Sequence, residues 1–147
     1  MINQANPRGE FLMMAVPTAA NGGAGPYSGD VLLFGDNEAG AAMAGVAANS
    51  YTPPTGIPNP EGIGVQFIGV FFLSVVALDG LSPANPEAIY PGDRIYASGG
   101  SYDSTTGCTY GCTLDANDGT GIYFGNALDY IPAGQTATIR VRLKVGG

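Results

Sequence analysis

Histidine and tryptophan are absent from this 147-residue chain. The first absence removes the commonest general base and metal ligand. The second weakens any role that depends on stacking a sugar ring. Positive charge is scarce as well: 5 Lys and Arg stand against 12 Asp and Glu, for a net charge of −7. A nucleic-acid partner calls for a basic excess gathered into a patch, so this balance argues against one. The single lysine, Lys144, is followed by Val145, so there is no Gly-x4-Gly-Lys-Ser/Thr loop to cradle a phosphate.

Cysteine occurs only at Cys108 and Cys112, in G-C-T-Y-G-C-T. That is too few for a disulfide framework, and without His a metal site lacks ligands. Two readings stay open, small residues in a loop or a local disulfide that is sterically demanding at so short a separation. Long apolar runs are missing too. The longest, residues 65–78 (V-Q-F-I-G-V-F-F-L-S-V-V-A-L), would form a helix only about 21 Å long. A membrane span needs roughly 20 apolar residues, so no membrane partner is expected. The polar N-terminus lacks the pattern of a signal peptide, which predicts a cytosolic origin or a chain supplied already processed.

What is abundant is glycine and proline, 24 and 11 residues. Such punctuation marks either disorder or many turns. With 45% hydrophobic and 12% charged residues the chain has enough to bury, which selects turns. The expectation is one all-β domain, a β-sandwich or small β-barrel with long Gly/Pro-rich loops. Residues 1–10 read as an extended N-terminal arm and residues 11–147 as the β domain.

Along the chain, residues 10–16 (E-F-L-M-M-A-V) and 31–34 read as buried strands, and 41–48 as a tightly packed one. The four prolines within 49–64 make that segment a surface loop. The run 65–78 is rich in β-branched and aromatic residues and is apolar on both alternating faces. It predicts strand covered on both sides, bent at Gly69 or Ser74. Residues 79–91 form a Pro-rich connection. Gly92-Asp93 then opens a strand at 94–97, repeating the Gly-Asp-strand pattern of 29–34. Residues 98–121 predict an exposed loop or hairpin, and 122–130 a weaker strand. The last strand, 136–145, has the clearest period of two: Ile139, Val141, Leu143 and Val145 on one face, Thr138, Arg140, Arg142 and Lys144 on the other.

Taken in order, G-E-F-L-M-M-A-V-P (9–17), S-G-D-V-L-L-F-G (28–35), G-V-F-F-L (69–73), A-I-Y-P-G-D-R-I-Y (88–96), F-G-N-A-L (124–128) and P-A-G-Q-T-A-T-I-R-V-R-L (132–143) resemble the capsid cement, or decoration, proteins of tailed bacteriophages. The resemblance implies a compact β domain that binds the outer surface of the assembled head and stabilises it. It implies a virion location after synthesis in the host cytoplasm, the major capsid protein as partner, self-association as a trimer, and no enzymatic activity or cofactor. Asn6, Pro7 and Arg8 in the arm, and Arg140, Arg142 and Lys144 in the basic stripe, are the expected capsid or subunit contacts. Asp115-Ala-Asn-Asp118-Gly departs from a calcium loop, with Gly119 one position early and Asn126 in place of the closing Glu. The competing reading is a carbohydrate-binding or adhesive surface module, with Tyr102, Tyr110 and Tyr123 as platforms.

Overall fold

A computed structural model describes residues 11–14, 27–35, 43–48, 63–79, 83–104, 106–116 and 121–144. The strands are β1 (Phe11–Met14), β2 (Val31–Phe34), β3 (Met43–Ala47), β4 (Ile63–Gln66), β5 (Val70–Val76), β6 (Arg94–Ser98), β7 (Ser101–Asp103), β8 (Cys108–Tyr110), β9 (Thr113–Asp115), β10 (Ile122–Ala127) and β11 (Thr136–Leu143). No helix occurs among the described residues. The strands form two antiparallel sheets, in the orders β1-β4-β3-β2-β8-β7 and β5-β11-β10-β6-β9. The all-β fold read from the Gly/Pro punctuation is the one observed, and of the two architectures expected, sandwich or small barrel, it is the sandwich. The five-stranded sheet also curls: just beyond its two edge strands, Ala116 N–H donates to the Leu78 carbonyl at 3.0 Å. The expected arm, residues 1–10, lies outside the described residues.

The apolar run 65–78 is not one strand. Gly69, at a φ of +136° that only glycine adopts readily, separates β4 from β5 and passes the chain from one sheet to the other. The expectation that both faces of the run are covered is met in β4 by Val65, which is buried, with Gln66 half-buried, and fails in β5. There Leu73 and Val75 are buried while Val70 and Phe72 stand in solvent, 50% and 74% exposed. Residues 98–121, expected as an exposed loop or hairpin, do in part form a hairpin, β7–β8. The difference is that it is built into the six-stranded sheet, and that β9 joins the other sheet. Cys108, Thr109 and Leu114 are buried there.

The second half of the chain repeats the first. Tyr27-Ser28-Gly29-Asp30 and Tyr90-Pro91-Gly92-Asp93 form the same turn. In each, the Tyr N–H donates to the Asp carboxylate, at 2.9 and 2.8 Å, and the Asp N–H donates back to the Tyr carbonyl at 3.0 Å. Each glycine sits at positive φ and donates to an alanine carbonyl on the neighbouring strand, Gly29 to Ala47 and Gly92 to Ala127, both at 2.8 Å. The match extends through four strands. β1-β4-β3-β2 corresponds to β5-β11-β10-β6, with Val31↔Val46 matching Arg94↔Asn126, Ala47↔Val65 matching Ala127↔Val141, and Phe11↔Gln66 matching Val70↔Arg142.

The two repeats stack front to back. On the inner face of the second, Leu73, Val75, Ile95, Ala97, Phe124, Ala127, Val141 and Leu143 form the main core, joined by Leu33, Ala44 and Val46 from the outer face of the first. The inner face of the first repeat has its own cluster of Leu32, Phe34, Ala47, Val65, Phe67 and Cys108, in which Phe34 and Phe67 meet edge to face at 5.8 Å. By this stacking the outer face of the second repeat is left uncovered.

Candidate binding face

That uncovered face gathers charge. β11 alternates as its sequence predicts: Ile139, Val141 and Leu143 point into the core, and Thr138, Arg140 and Arg142 point out. Arg94 points out from β6, opposite Asn126 of β10. Lys144 follows β11 and remains in the ladder, its N–H donating to the Phe124 carbonyl at 2.9 Å. All four cations among the described residues therefore lie on one sheet face of an acidic protein. Positions that are Val31, Leu33, Val46 and Gln66 in the first repeat are Arg94, Tyr96, Asn126 and Arg142 in the second. Phe72 and Val70 flank the charges, paired in register with Arg140 and Arg142.

The stripe is not the uniform row of solvated charges that its spacing predicts. Arg140 is committed to Asp129 by a 2.8 Å ion pair, with both side chains substantially exposed. Lys144 is only 8% exposed. Its ammonium lies 5.9 Å from the centre of the Tyr123 ring, and burial pushes its pKa below the usual lysine value. The Arg94 guanidinium approaches the same ring at 5.1 Å, and Tyr96 packs beside it at 6.1 Å. Only Arg142 has the free, exposed character expected of the whole row.

Tyr123 owes its position to a bulge. On β10, Tyr123 faces Tyr96 and Gly125 faces Ile95, so Phe124 has no partner on β6 and turns into the core. Gly125 is required next to it, because a Cβ there would run into the Arg142 carbonyl. The Tyr123 hydroxyl donates to Asn126 Oδ1, and Asn126 Nδ2 donates to the Gly92 carbonyl at 3.0 Å. Together Gly92, Tyr123, Asn126, Leu128, Arg142, Leu143 and Lys144 line an open depression of about 340 Å³.

The other residues singled out by sequence fall elsewhere. Asn6, Pro7 and Arg8 lie outside the described residues. Tyr102 and Tyr110 are on the β7–β8 hairpin of the six-stranded sheet, while Tyr123 is on β10 of the other. Cys108 and Cys112 are free thiols. Burial, with Asp103 and Cys112 nearby, pushes Cys108 up to about 12, and burial pushes Cys112 up to about 11. Asp103 locks its own turn, accepting from the Thr106 N–H at 3.2 Å and hydroxyl at 2.6 Å. Asp115 accepts from the Ser98 hydroxyl at 3.1 Å. Among the described residues no three acidic or cysteine side chains converge.

Sequence reasoning missed Asn126, Arg94 and Phe72, and it grouped Tyr123 with Tyr102 and Tyr110 instead of with the cations. The one available signal was the repeated Tyr-x-Gly-Asp turn, which places Arg94 where the first repeat has Val31. No protein-family model matches the chain, and neither a curated protein nor a solved structure matches it.

Proposed function

We propose that this chain is a non-enzymatic capsid decoration protein that docks on the assembled head through the outer face of its second repeat. The observation that carries the reading is the segregation on that face. Four cations and two exposed apolar side chains share one sheet surface in a chain of net charge −7. A large exposed Phe beside charges is what a protein partner covers, since exposed apolar patches mark interaction surfaces. The ordered segments that resemble capsid cement proteins supply the kind of partner, an assembled lattice of the major capsid protein. They also supply a self-associated, trimeric working form.

The mechanism is linkage. A protein that binds only the assembled lattice lowers its free energy relative to dissociated subunits by an amount set by free concentration over Kd. No bond is made or broken, and the double-layered core serves to hold the side chains of that face in place.

The test is co-sedimentation with purified heads, stripped and then re-decorated. Saturable binding that raises the temperature at which the heads disrupt is the expected result. A chain that stays in the supernatant at every concentration overturns the reading.

A further inference from the structure

We propose that Arg142 and Lys144, with Tyr123 and Asn126, form a carboxylate socket that takes an acidic side chain of a partner polypeptide. This deepens the docking reading and rests on it for the identity of the partner.

The socket is built rather than incidental. Lys144 is 8% exposed, yet among the described residues no carboxylate pairs with it, with Arg142 or with Arg94. A lysine whose side chain is this covered normally has an anionic partner, because removing water from its ammonium is costly. Here its neighbour is the π face of Tyr123, which compensates only in part. The Tyr123 ring is in turn fixed through its hydroxyl by Asn126, and Asn126 by the Gly92 carbonyl. That leaves the second N–H of the Asn126 amide available to a ligand. Arg142 and Lys144 occupy successive outward positions, about 7 Å apart along a strand, so a group seated between them meets both.

The donor set selects the ligand class. A guanidinium and an ammonium serve carboxylate and phosphate alike, and many phosphate sites add converging backbone N–H groups to them. In this depression the backbone N–H groups of Gly92, Leu128, Leu143 and Lys144 all donate to carbonyls within the sheet, at 2.8–3.0 Å. What remains is a planar guanidinium, an ammonium and one amide N–H, which suits a planar carboxylate. The surroundings select the source. Val70 and Phe72 beside the socket offer apolar area to a polypeptide, and the cations form one small cluster instead of the extended basic track that a nucleic-acid backbone calls for.

The test is an NMR titration of the full chain, following its amide signals, with hexaglutamate, hexaglutamine, inorganic phosphate and a short DNA duplex as probes at low ionic strength. Hexaglutamate is expected to shift Tyr123, Asn126, Arg142 and Lys144, and hexaglutamine to leave them unmoved. Arg142→Gln should weaken hexaglutamate binding by about tenfold. Lys144→Met, which keeps the covered stem and removes the charge, should weaken it comparably while the chain stays folded. Signals that do not move with hexaglutamate overturn the socket, as does phosphate or DNA binding as tightly as the peptide. The docking reading is separated by the heads: a chain that binds heads but not hexaglutamate loses the socket alone. A chain that binds hexaglutamate but not heads keeps the socket and loses the capsid.

Discussion

Arg140 holds Asp129 in a fork. Its Nη2–H donates to Oδ1 at 2.8 Å and its Nε–H to Oδ2 at 3.1 Å, and the Arg140 backbone N–H adds a bond to Oδ2 at 2.9 Å. The pairing removes Arg140 from the free charge of the face and ties β11 to the segment after β10. The side-chain bonds and the backbone bond hold the Asp129 carboxyl at about 2, below its ordinary 3.8.

The pH dependence follows from the sign of that shift. A carboxyl whose folded pKa is depressed contributes stability above its unfolded pKa, and that contribution is lost as pH falls through the folded one. Wild type should therefore lose thermal midpoint between pH 3.8 and about pH 2, and Asp129→Asn should lack this part of the decline. Because the pair is exposed, the difference should shrink as salt is added. Identical midpoint-versus-pH curves for the two chains at low salt would remove the pair from the stability of the fold.

Two glycines at matching positions of the repeats should differ in their tolerance of a methyl group. A Cβ on Gly45 would stand 2.5 Å from Val65 Cγ1, a side chain, whereas one on Gly125 would meet the Arg142 backbone carbonyl. Gly45→Ala should cost about 1–3 kcal/mol in denaturant unfolding, and Gly125→Ala at least about 3 kcal/mol, because a ladder carbonyl cannot rotate away. Equal losses would mean that the bulge at Phe124 is plastic.

Phe72 should matter to binding and not to folding. It is 74% exposed, so Phe72→Ser should change unfolding stability by less than about 0.5 kcal/mol. Binding to heads should fall with it, as removing an exposed aromatic anchor does at protein interfaces. A serine variant that binds heads as well as wild type would place the docking surface elsewhere.

The thiols should be inert in the folded chain. With Cys108 at about 12 and Cys112 at about 11, the reactive thiolate is a minute fraction at neutral pH. A thiol reagent at pH 8 should label neither at an appreciable rate until denaturant is added, and then label both. Rapid labelling of the native protein at Cys112 would show that its strand end opens.

Much of the fold was legible because the strong signals were local. β2 coincides with the apolar stretch after Gly29-Asp30, β11 with the period of two, and the break in the central run with Gly69. β7, β8 and β9 were not, because each is three residues of Thr, Ser, Tyr, Cys, Asp or Leu between turns, too short for a period to show. The candidate face was half legible. Alternation places Arg140 and Arg142 outward, but nothing nearby in sequence says that Asp129 captures the first. Nor could the spacing show that Tyr123, set by a bulge on another strand, covers Lys144. The repeat was visible only as Tyr-Ser-Gly-Asp and Tyr-Pro-Gly-Asp; its extent rests on pairings between distant residues.

A chain that builds the same four-strand unit twice must keep the copies from trading partners as it folds. β1 and β5 compete for the same kind of slot, and so do β4 and β11. The outward residues settle the contest. Were the second repeat to take the inner layer, Arg94, Tyr96 and Asn126 would fall where Val31, Leu33 and Val46 enter the shared core, burying a cation and an amide without partners. The polar face would thus work against the exchanged arrangement, and replacing it with apolar residues should yield misordered, aggregating species even where the native structure loses nothing.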